Sequence, residues 1–393
     1  MILVAPMQPC ILYQNSTADI TLLDIPRSIE LAQGAESGRL ISSSPMEQPY
    51  PSVEPKSEKA SKNLGEATLA ELLLQKHLEL ALSEAKNGLG KHGIWCLPRI
   101  TENEPLPVPV ERKRKRLDQT ATSAGMDNSE SSALQEQRDE LVHISNDPMD
   151  TIYYHNPYEK SLSIVVGNNH AKIPPKSTVL QGDIVPTLEI FASSATQFDF
   201  VILDPPWPNR SAKRKKSYGI SYGTNNIKTL LSLLPIQVHL SEEGFVAVWV
   251  TNKNAFREML LEEDGLFDQW GVRLIEEWVW LKVTSDGETI CPINSKWRKP
   301  YEVLLIGRRV MEENKIESPE VKRRVLIGVP DLHSRKPNIR CLIKQLVGKE
   351  EGFYQVLEIF ARNLTAGWWG WGNEALKFQM SKNWQKQSKS ESL

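Results

Sequence analysis

The sequence predicts a three-layer α/β domain with a mainly parallel sheet, and three observations predict it. From about residue 150 onward, short apolar runs alternate with amphipathic segments. Several of those runs are apolar at consecutive positions, as strands covered on both faces must be. Ten of the eleven tryptophans fall after residue 200, so the bulky core material is C-terminal.

In chain order, residues 1–149 form an N-terminal region rich in Ser, Pro, Glu, Gln and Lys. Such a mixture buries too little apolar area to offset ordering entropy, and the region is expected to be largely disordered. Within it, "ILYQ" and "ITLLDI" have the texture of short strands that dock elsewhere. One helix is predicted near 68–87: Thr68 and Glu71 make a capping box, Leu, Ala and Glu dominate, and Asn87-Gly88 supplies a stop. A proline-rich stretch then leads into a basic run, Arg112 to Arg116. That run reads as a nuclear-import signal or a phosphate-touching arm, with a solvated linker charge run as the alternative.

Residues 150–378 carry the domain. "FDFVILD" (198–204), "GFVAVWVTN" (244–252), "VRLIEEWVWLKV" (272–283), "YEVLLIGRR" (301–309), "RVLIGVP" (324–330) and "YQVLEIFARN" (354–363) read as strands. Helical periods fall between them at "NNIKTLLSLLPIQ", "NKNAFREMLLEE" and "PNIRCLIKQLVG", the last opened by Pro337 and closed by Gly348. No helix separates the strands between Val272 and Arg309, which predicts an antiparallel hairpin. Residues 379–393 read as a polar tail.

A formal charge of -2 gives no global field for a polyanion, so any nucleic-acid surface must be local. Four cysteines without a CxxC pair argue against a zinc module or a disulfide scaffold, and no metal ligand set is read. No apolar run reaches the roughly 18 residues of a membrane span, and a soluble intracellular protein without membrane contact is expected.

One stretch demands chemistry. "VILDPPWPN" (201–209) places an acid, two prolines and an indole at the end of a buried strand, where ligands sit in open α/β sheets. Two prolines cannot continue a ladder, but they stiffen the corner and present carbonyls at fixed angles. An exocyclic nucleobase amine is a poor nucleophile, because its lone pair is delocalised into the ring. The Asp204 carboxylate and a corner carbonyl can accept hydrogen bonds from its two N–H groups, while Trp207 stacks on the base, a contact worth about 1–3 kcal/mol. The alternative is a plain Pro-Pro turn with Trp207 filling the core.

"DPPW" resembles the signature of the adenine N6-methyltransferases of the eukaryotic messenger-RNA adenosine methyltransferase class. Matching stretches continue in order with "SYGT" (221–224), "KPYEVLLIGRR" (299–309), "HSRKP" (333–337) and "LEIFARNLTAGWWGWGNE" (357–374). "RKPYEVLLIG" and "GWWGWGNE" look most like the methyltransferase-like-four branch. The resemblance implies a permuted Rossmann-like fold that uses S-adenosylmethionine, with a mixed, mainly parallel sheet flanked by helices. It assigns the target amine to Asp204, Pro205, Pro206 and Trp207. It assigns the cofactor to Asp183, Ile184, Asp204, Lys336, Glu358, Arg362, Thr365, Asn373 and Glu374. Thr365 and Glu374 stand where relatives have an amide. His333 is read as a neighbour of Lys336, and Trp368, Trp369 and Trp371 as ligand wall or core.

The same resemblance puts substrate contacts at Trp207, Tyr222, Glu302 and Arg298, with Lys299 on the same rim. The loop "NRSAKRKKSYG" brings Arg210, Lys213, Arg214, Lys215 and Lys216, which suit phosphates and an ionic-strength-dependent grip. The expected reaction is methyl transfer to N6 of adenine in RNA, with 2'-O-methyladenosine of a small nuclear RNA as the branch's substrate. Single-stranded RNA is expected ahead of DNA, because base extrusion from a duplex costs more. A DNA methyltransferase and a catalytically silent nucleic-acid-binding subunit are the alternatives. The intact Asp204 and Trp207 speak for activity, and a nuclear location is expected from the basic run, with the cytoplasm as a second location.

Overall fold

A computed structural model describes residues 9–34, 38–51, 67–102, 142–145, 151–208, 224–295, 297–310 and 320–385. The chain opens with strands β1 (Ile11–Gln14) and β2 (Ile20–Leu23), helix α1 (Ile25–Ala32), the short strand β3 (Arg39–Leu40) and helix α2 (Leu69–Leu89). Next come β4 (Val142–Ser145), β5 (Ile152–His155), β6 (Leu162–Val166), β7 (Asn169–Ile173), β8 (Thr178–Gln181), α3 (Ile184–Ser194) and β9 (Phe198–Leu203). After it follow α4 (Thr224–Ser232), α5 (Ile236–His239), β10 (Leu240–Val250), α6 (Asn254–Leu261), α7 (Leu266–Gln269), β11 (Val272–Lys282) and β12 (Tyr301–Arg309). The last elements are β13 (Lys322–Gly328), α8 (Arg340–Val347), β14 (Val356–Ile359), β15 (Trp369–Gly372) and β16 (Trp384–Gln385).

Among the described residues, eleven strands join one sheet in the order β1-β2-β13-β11-β12-β10-β9-β14-β15-β8-β5. Six of its ten pairings are parallel, and β11–β12 is the expected antiparallel hairpin. β9 shows why its run is apolar throughout. Val201 and Leu203 enter a core shared with α3, α4, α6 and α7. Phe200 and Ile202 point the other way, into a core shared with α1 and α8. Both faces are covered, so the period-2 polarity of a one-sided strand is lost.

The N-terminal reading divides: "ILYQ" and the start of "ITLLDI" are the docking strands β1 and β2 as expected, whereas the disorder expected around them is corrected over residues 9–34. β2 pairs in parallel with β13, β1 extends that edge, and Leu22, Leu23, Ile25 and Ile29 are buried. The boundary at residue 150 therefore does not divide the fold, because a separate segment completes a sheet edge that residues after 150 leave open. α2 has the Thr68–Glu71 capping box but runs through Asn87-Gly88 to Leu89, with Gly90 at φ 68° after its end. Gly88 is a contact glycine rather than a stop, since a Cβ there would collide with the Tyr13 ring. From residue 379 to 385 the chain stays built in: Gln379 is buried, and β16 pairs with β3. The basic run Arg112 to Arg116 lies outside the described residues. Among the described residues no helix is long and apolar enough to cross a membrane.

Candidate active site

The parallel core sends one set of strand ends to one edge of the sheet. Asp204 follows β9, Asn252 and Lys253 follow β10, Phe360 and Arg362 follow β14, Asn373 follows β15 and Asp183 follows β8. Antiparallel β12 starts at this same edge, which delivers Glu302 from its second position. Ligand sites gather at such carboxyl edges.

The cleft there is lined by Ile202, Asp204, Trp249, Ser334, Lys336, Glu358, Phe360 and Arg362, among others. Asp204 is oriented by its own backbone, whose N–H donates to the Ile359 carbonyl at 3.4 Å. The Trp207 amide donates to the Pro205 carbonyl at 2.7 Å, closing a tight turn that stiffens the proline corner. The Lys336 ammonium lies 3.0 Å from Asp204 Oδ1 and 3.1 Å from Glu302 Oε2, and Lys282 forms a further ion pair with Glu302. Sequence reading missed Lys282; its only signal was a charge at the end of the apolar run "WVWL".

Burial works against these charges, and the partners win. Asp204 and Glu302 hold the Lys336 ammonium well above the usual lysine range. Glu302, although enclosed, is held down to about 2 by Lys336 and Lys282. Glu358 goes the other way: burial, with repulsion from Asp204, pushes it up to about 8. The cleft thus contains one neutral-prone acid beside an ion-paired lysine.

The loop carrying Lys336 is propped by the N-terminal segment. Arg335 is 2% exposed, donates to the Ile41 carbonyl at 3.1 Å and pairs with Asp331 at 2.5 Å. The Asn338 amide N–H donates to Ser28 Oγ of α1 at 3.0 Å. A segment whose composition suggested disorder therefore shapes one wall of the cleft.

The expected cofactor residues divide. Asp204, Lys336, Glu358 and Arg362 face the cleft together. Arg362 Nε is 3.1 Å from Glu374 Oε2, and Asn373 Nδ2 donates to Asp183 Oδ1 at 2.8 Å. Ile184 is buried in the core behind Asp183, as the first residue of α3. Thr365 is also enclosed: it accepts from Asn338 Nδ2 at 2.7 Å, behind the wall rather than in the cleft. Trp368 lines the cleft, whereas Trp369 and Trp371 pack into the core on the opposite face of the sheet.

The open-indole expectation for Trp207 is corrected. Its side chain is 5% exposed, its ring stacks on Phe256 at 4.5 Å, and its N–H donates to the Trp249 carbonyl at 2.7 Å. Trp207 belongs to the core on the α6 face, while Ile202 and Trp249 of the cleft face the α1 and α8 side. Its role in this geometry is to wedge the corner. Arg210, Lys213, Arg214, Lys215, Lys216 and Tyr222 lie outside the described residues. Arg298 is exposed, with Lys299 beside it half-buried. His333 is exposed and within 2.8 Å of Ser334 Oγ.

The donor set suits S-adenosylmethionine, which offers a ribose diol, an ammonium and a carboxylate. Glu374 Oε2 is shielded from solvent and accepts no well-angled hydrogen bond among the described residues, although Arg362 is within ion-pair distance. That leaves an acceptor with spare capacity for a hydroxyl or an ammonium.

Comparison with known proteins agrees with this geometry. The MT-A70 family model matches residues 198–374. The N6-methyladenosine RNA methyltransferase MTA1 of Cryphonectria parasitica is 37% identical over 95% of this chain and 94% of its own length. The mouse N(6)-adenine-specific methyltransferase METTL4 is 32% identical over 65% of this chain and 53% of its own. A Caenorhabditis elegans DNA N6-methyl methyltransferase is 34% identical over 49% of each chain. With the carboxyl-edge cleft, the Asp-Pro-Pro-Trp corner and near full-length likeness together, the chain belongs to the MT-A70 family of S-adenosylmethionine-dependent adenine N6-methyltransferases.

Proposed function

We propose that this enzyme methylates N6 of adenosine in single-stranded RNA. The observation that carries the reading is the Asp204 carboxylate held at the cleft mouth by Lys336, at 3.0 Å, on a corner stiffened by Pro205 and Pro206. Asp204 and a corner carbonyl accept hydrogen bonds from the two N–H groups of the target amine and turn its lone pair towards the donor, and Asp204 takes up the one proton that the amine gives up on methylation. Bound S-adenosylmethionine supplies the electrophilic methyl group. Lys336 fixes the Asp204 carboxylate, and Glu302 holds Lys336 from the other side, so the acceptor is set before substrate arrives. Glu358, Arg362 and Glu374 on one side, with Asp183 and Asn373 beyond, are the residues we assign to the cofactor.

RNA is favoured over DNA because the relatives matched over nearly their whole length are named RNA methyltransferases, whereas the DNA-named relative is matched over half. The branch resemblance adds 2'-O-methyladenosine of a small nuclear RNA as the substrate to try first, and the basic run at 112–116 suits a nuclear location. The test is incubation of the purified protein with labelled S-adenosylmethionine and matched oligonucleotides of RNA, DNA and RNA carrying 2'-O-methyladenosine. Label in DNA alone would overturn the RNA reading, and equal label with and without the 2'-O-methyl group would remove the small-nuclear-RNA preference.

A further inference from the structure

We propose that Trp297, Arg298 and Tyr50 form a stacking platform for a nucleotide flanking the target adenosine. The inference rests on the reading of a single-stranded nucleic-acid substrate and adds where its neighbouring bases go. Trp297 is 43% exposed, and each of the other ten tryptophans is buried or half-buried. A large indole held on the surface forgoes burial that this fold gives the others. Tyr50 is 40% exposed, and the Arg298 guanidinium lies 4.7 Å from the centre of its ring. Two distant stretches of sequence therefore bring an aromatic ring and a cation together, and the exposed indole of Trp297 stands on the residue before that cation.

The platform is built rather than loose. The Tyr50 amide donates to the Ile290 carbonyl at 2.9 Å, and the Ser285 amide to the Met46 carbonyl at 2.8 Å, which pins the N-terminal segment alongside. The Arg298 amide donates to Ser295 Oγ at 3.2 Å, and Cys291 Sγ donates to the Arg298 carbonyl at 3.2 Å. The segment is linked to the cleft through Glu302: the Lys282 amide donates to the Pro300 carbonyl at 2.7 Å, and Glu302, two residues on, pairs with Lys282 and with the cleft-lining Lys336.

The chemistry fits a polynucleotide. Every base offers a π-face, so stacking on Trp297 tolerates any flanking sequence. Arg298 can stack and donate to a phosphate at once, with Lys299 beside it. Glu288, an acid of the same segment, is paired with Lys86 at 2.6 Å and does not cancel that charge.

The full-length protein, Trp297→Ala, Trp297→Phe and Tyr50→Ala are compared for binding of a labelled single-stranded RNA by fluorescence anisotropy, and for KM and kcat of methyl transfer to it. Trp297→Ala raises Kd and KM by about 5- to 100-fold and acts on KM more than on kcat, and Trp297→Phe recovers most of the loss. Tyr50→Ala, on an independent segment, shifts the same constants in the same direction and serves if Trp297→Ala does not fold. Values for both alanine variants within roughly two-fold of the wild type overturn the platform and leave the patch to a protein partner. If the wild type binds and methylates DNA alone, the RNA reading falls while the same variants decide the platform on DNA. A wild type that binds neither polymer overturns both.

Discussion

Lys336 lies 3.0 Å from Asp204, tying the loop after β13 to the corner after β9. Those two positions are 132 residues apart, and the contact exists because parallel strands deliver both to one sheet edge. Methyl transfer should depend on this pair more than on any other. Asp204→Ala is expected to lower kcat by at least about 100-fold, the scale of a lost proton acceptor, while cofactor affinity changes far less. Labelled-methyl transfer and calorimetric titration with S-adenosylmethionine separate the two effects; retained turnover would remove Asp204 from the chemistry.

Glu358 gives the enzyme a stability slope near neutrality. Its folded value of about 8 stands above the 4.5 of a free glutamate, so its contribution is whole below about 4.5 and is lost as pH rises towards 8. Glu358→Gln should remove up to about 1.4 kcal/mol of that loss per pH unit. In thermal melts from acidic to alkaline buffer, the variant should gain on the wild type up to about pH 8 and then run parallel. A constant gap between the two would show that Glu358 is not perturbed.

The Glu302 cluster has the opposite sign. Lys282 and Lys336 hold Glu302 at about 2 in the folded chain, so its contribution is present above 4.5 and fades as pH falls towards 2. Lys282→Met should therefore cost most at neutral pH, with the difference from wild type shrinking on acidification. A gap that widens towards low pH would contradict the pairing.

Trp207→Ala should act on the fold before the chemistry. Removing a buried indole stacked on Phe256 is expected to cost about 3–5 kcal/mol in denaturant unfolding, while Trp207→Phe costs less. If the alanine variant unfolds like the wild type but fails to methylate, the wedge assignment is wrong and the base-stacking role returns.

Truncation tests the N-terminal finding. A chain starting at residue 150 lacks β1, β2 and α1, and so exposes the β13 edge and the apolar surface under Ile25 and Ile29. Such an edge invites pairing between chains, and aggregation is expected in size-exclusion chromatography. A monomeric, active fragment would show that the N-terminal strands are dispensable.

Much of the domain was legible before folding was considered. The strand at 198–203, the 272–309 hairpin and the Gly348 helix stop are local patterns, set by apolar runs and turn residues. "GWWGWG" concealed β15, because glycine is depleted in strands and the run is only four residues long, although its two tryptophans do share one face with the strand period of two. α2 overran its Asn-Gly stop because packing on Tyr13 outweighed the local propensity.

By itself the sequence determined the α/β class, the rigid Asp-Pro-Pro-Trp corner and the residue types able to hold an amine and a cofactor, since these follow from local geometry and side-chain chemistry. Only the tertiary structure decided that Trp207 turns into the core on the α6 face, that Lys282 and Lys336 share Glu302, and that residues 9–34 complete the sheet. The physical reason is that strand order and facing are set by burial between segments far apart in the chain, and periodicity within one segment carries no record of its neighbour.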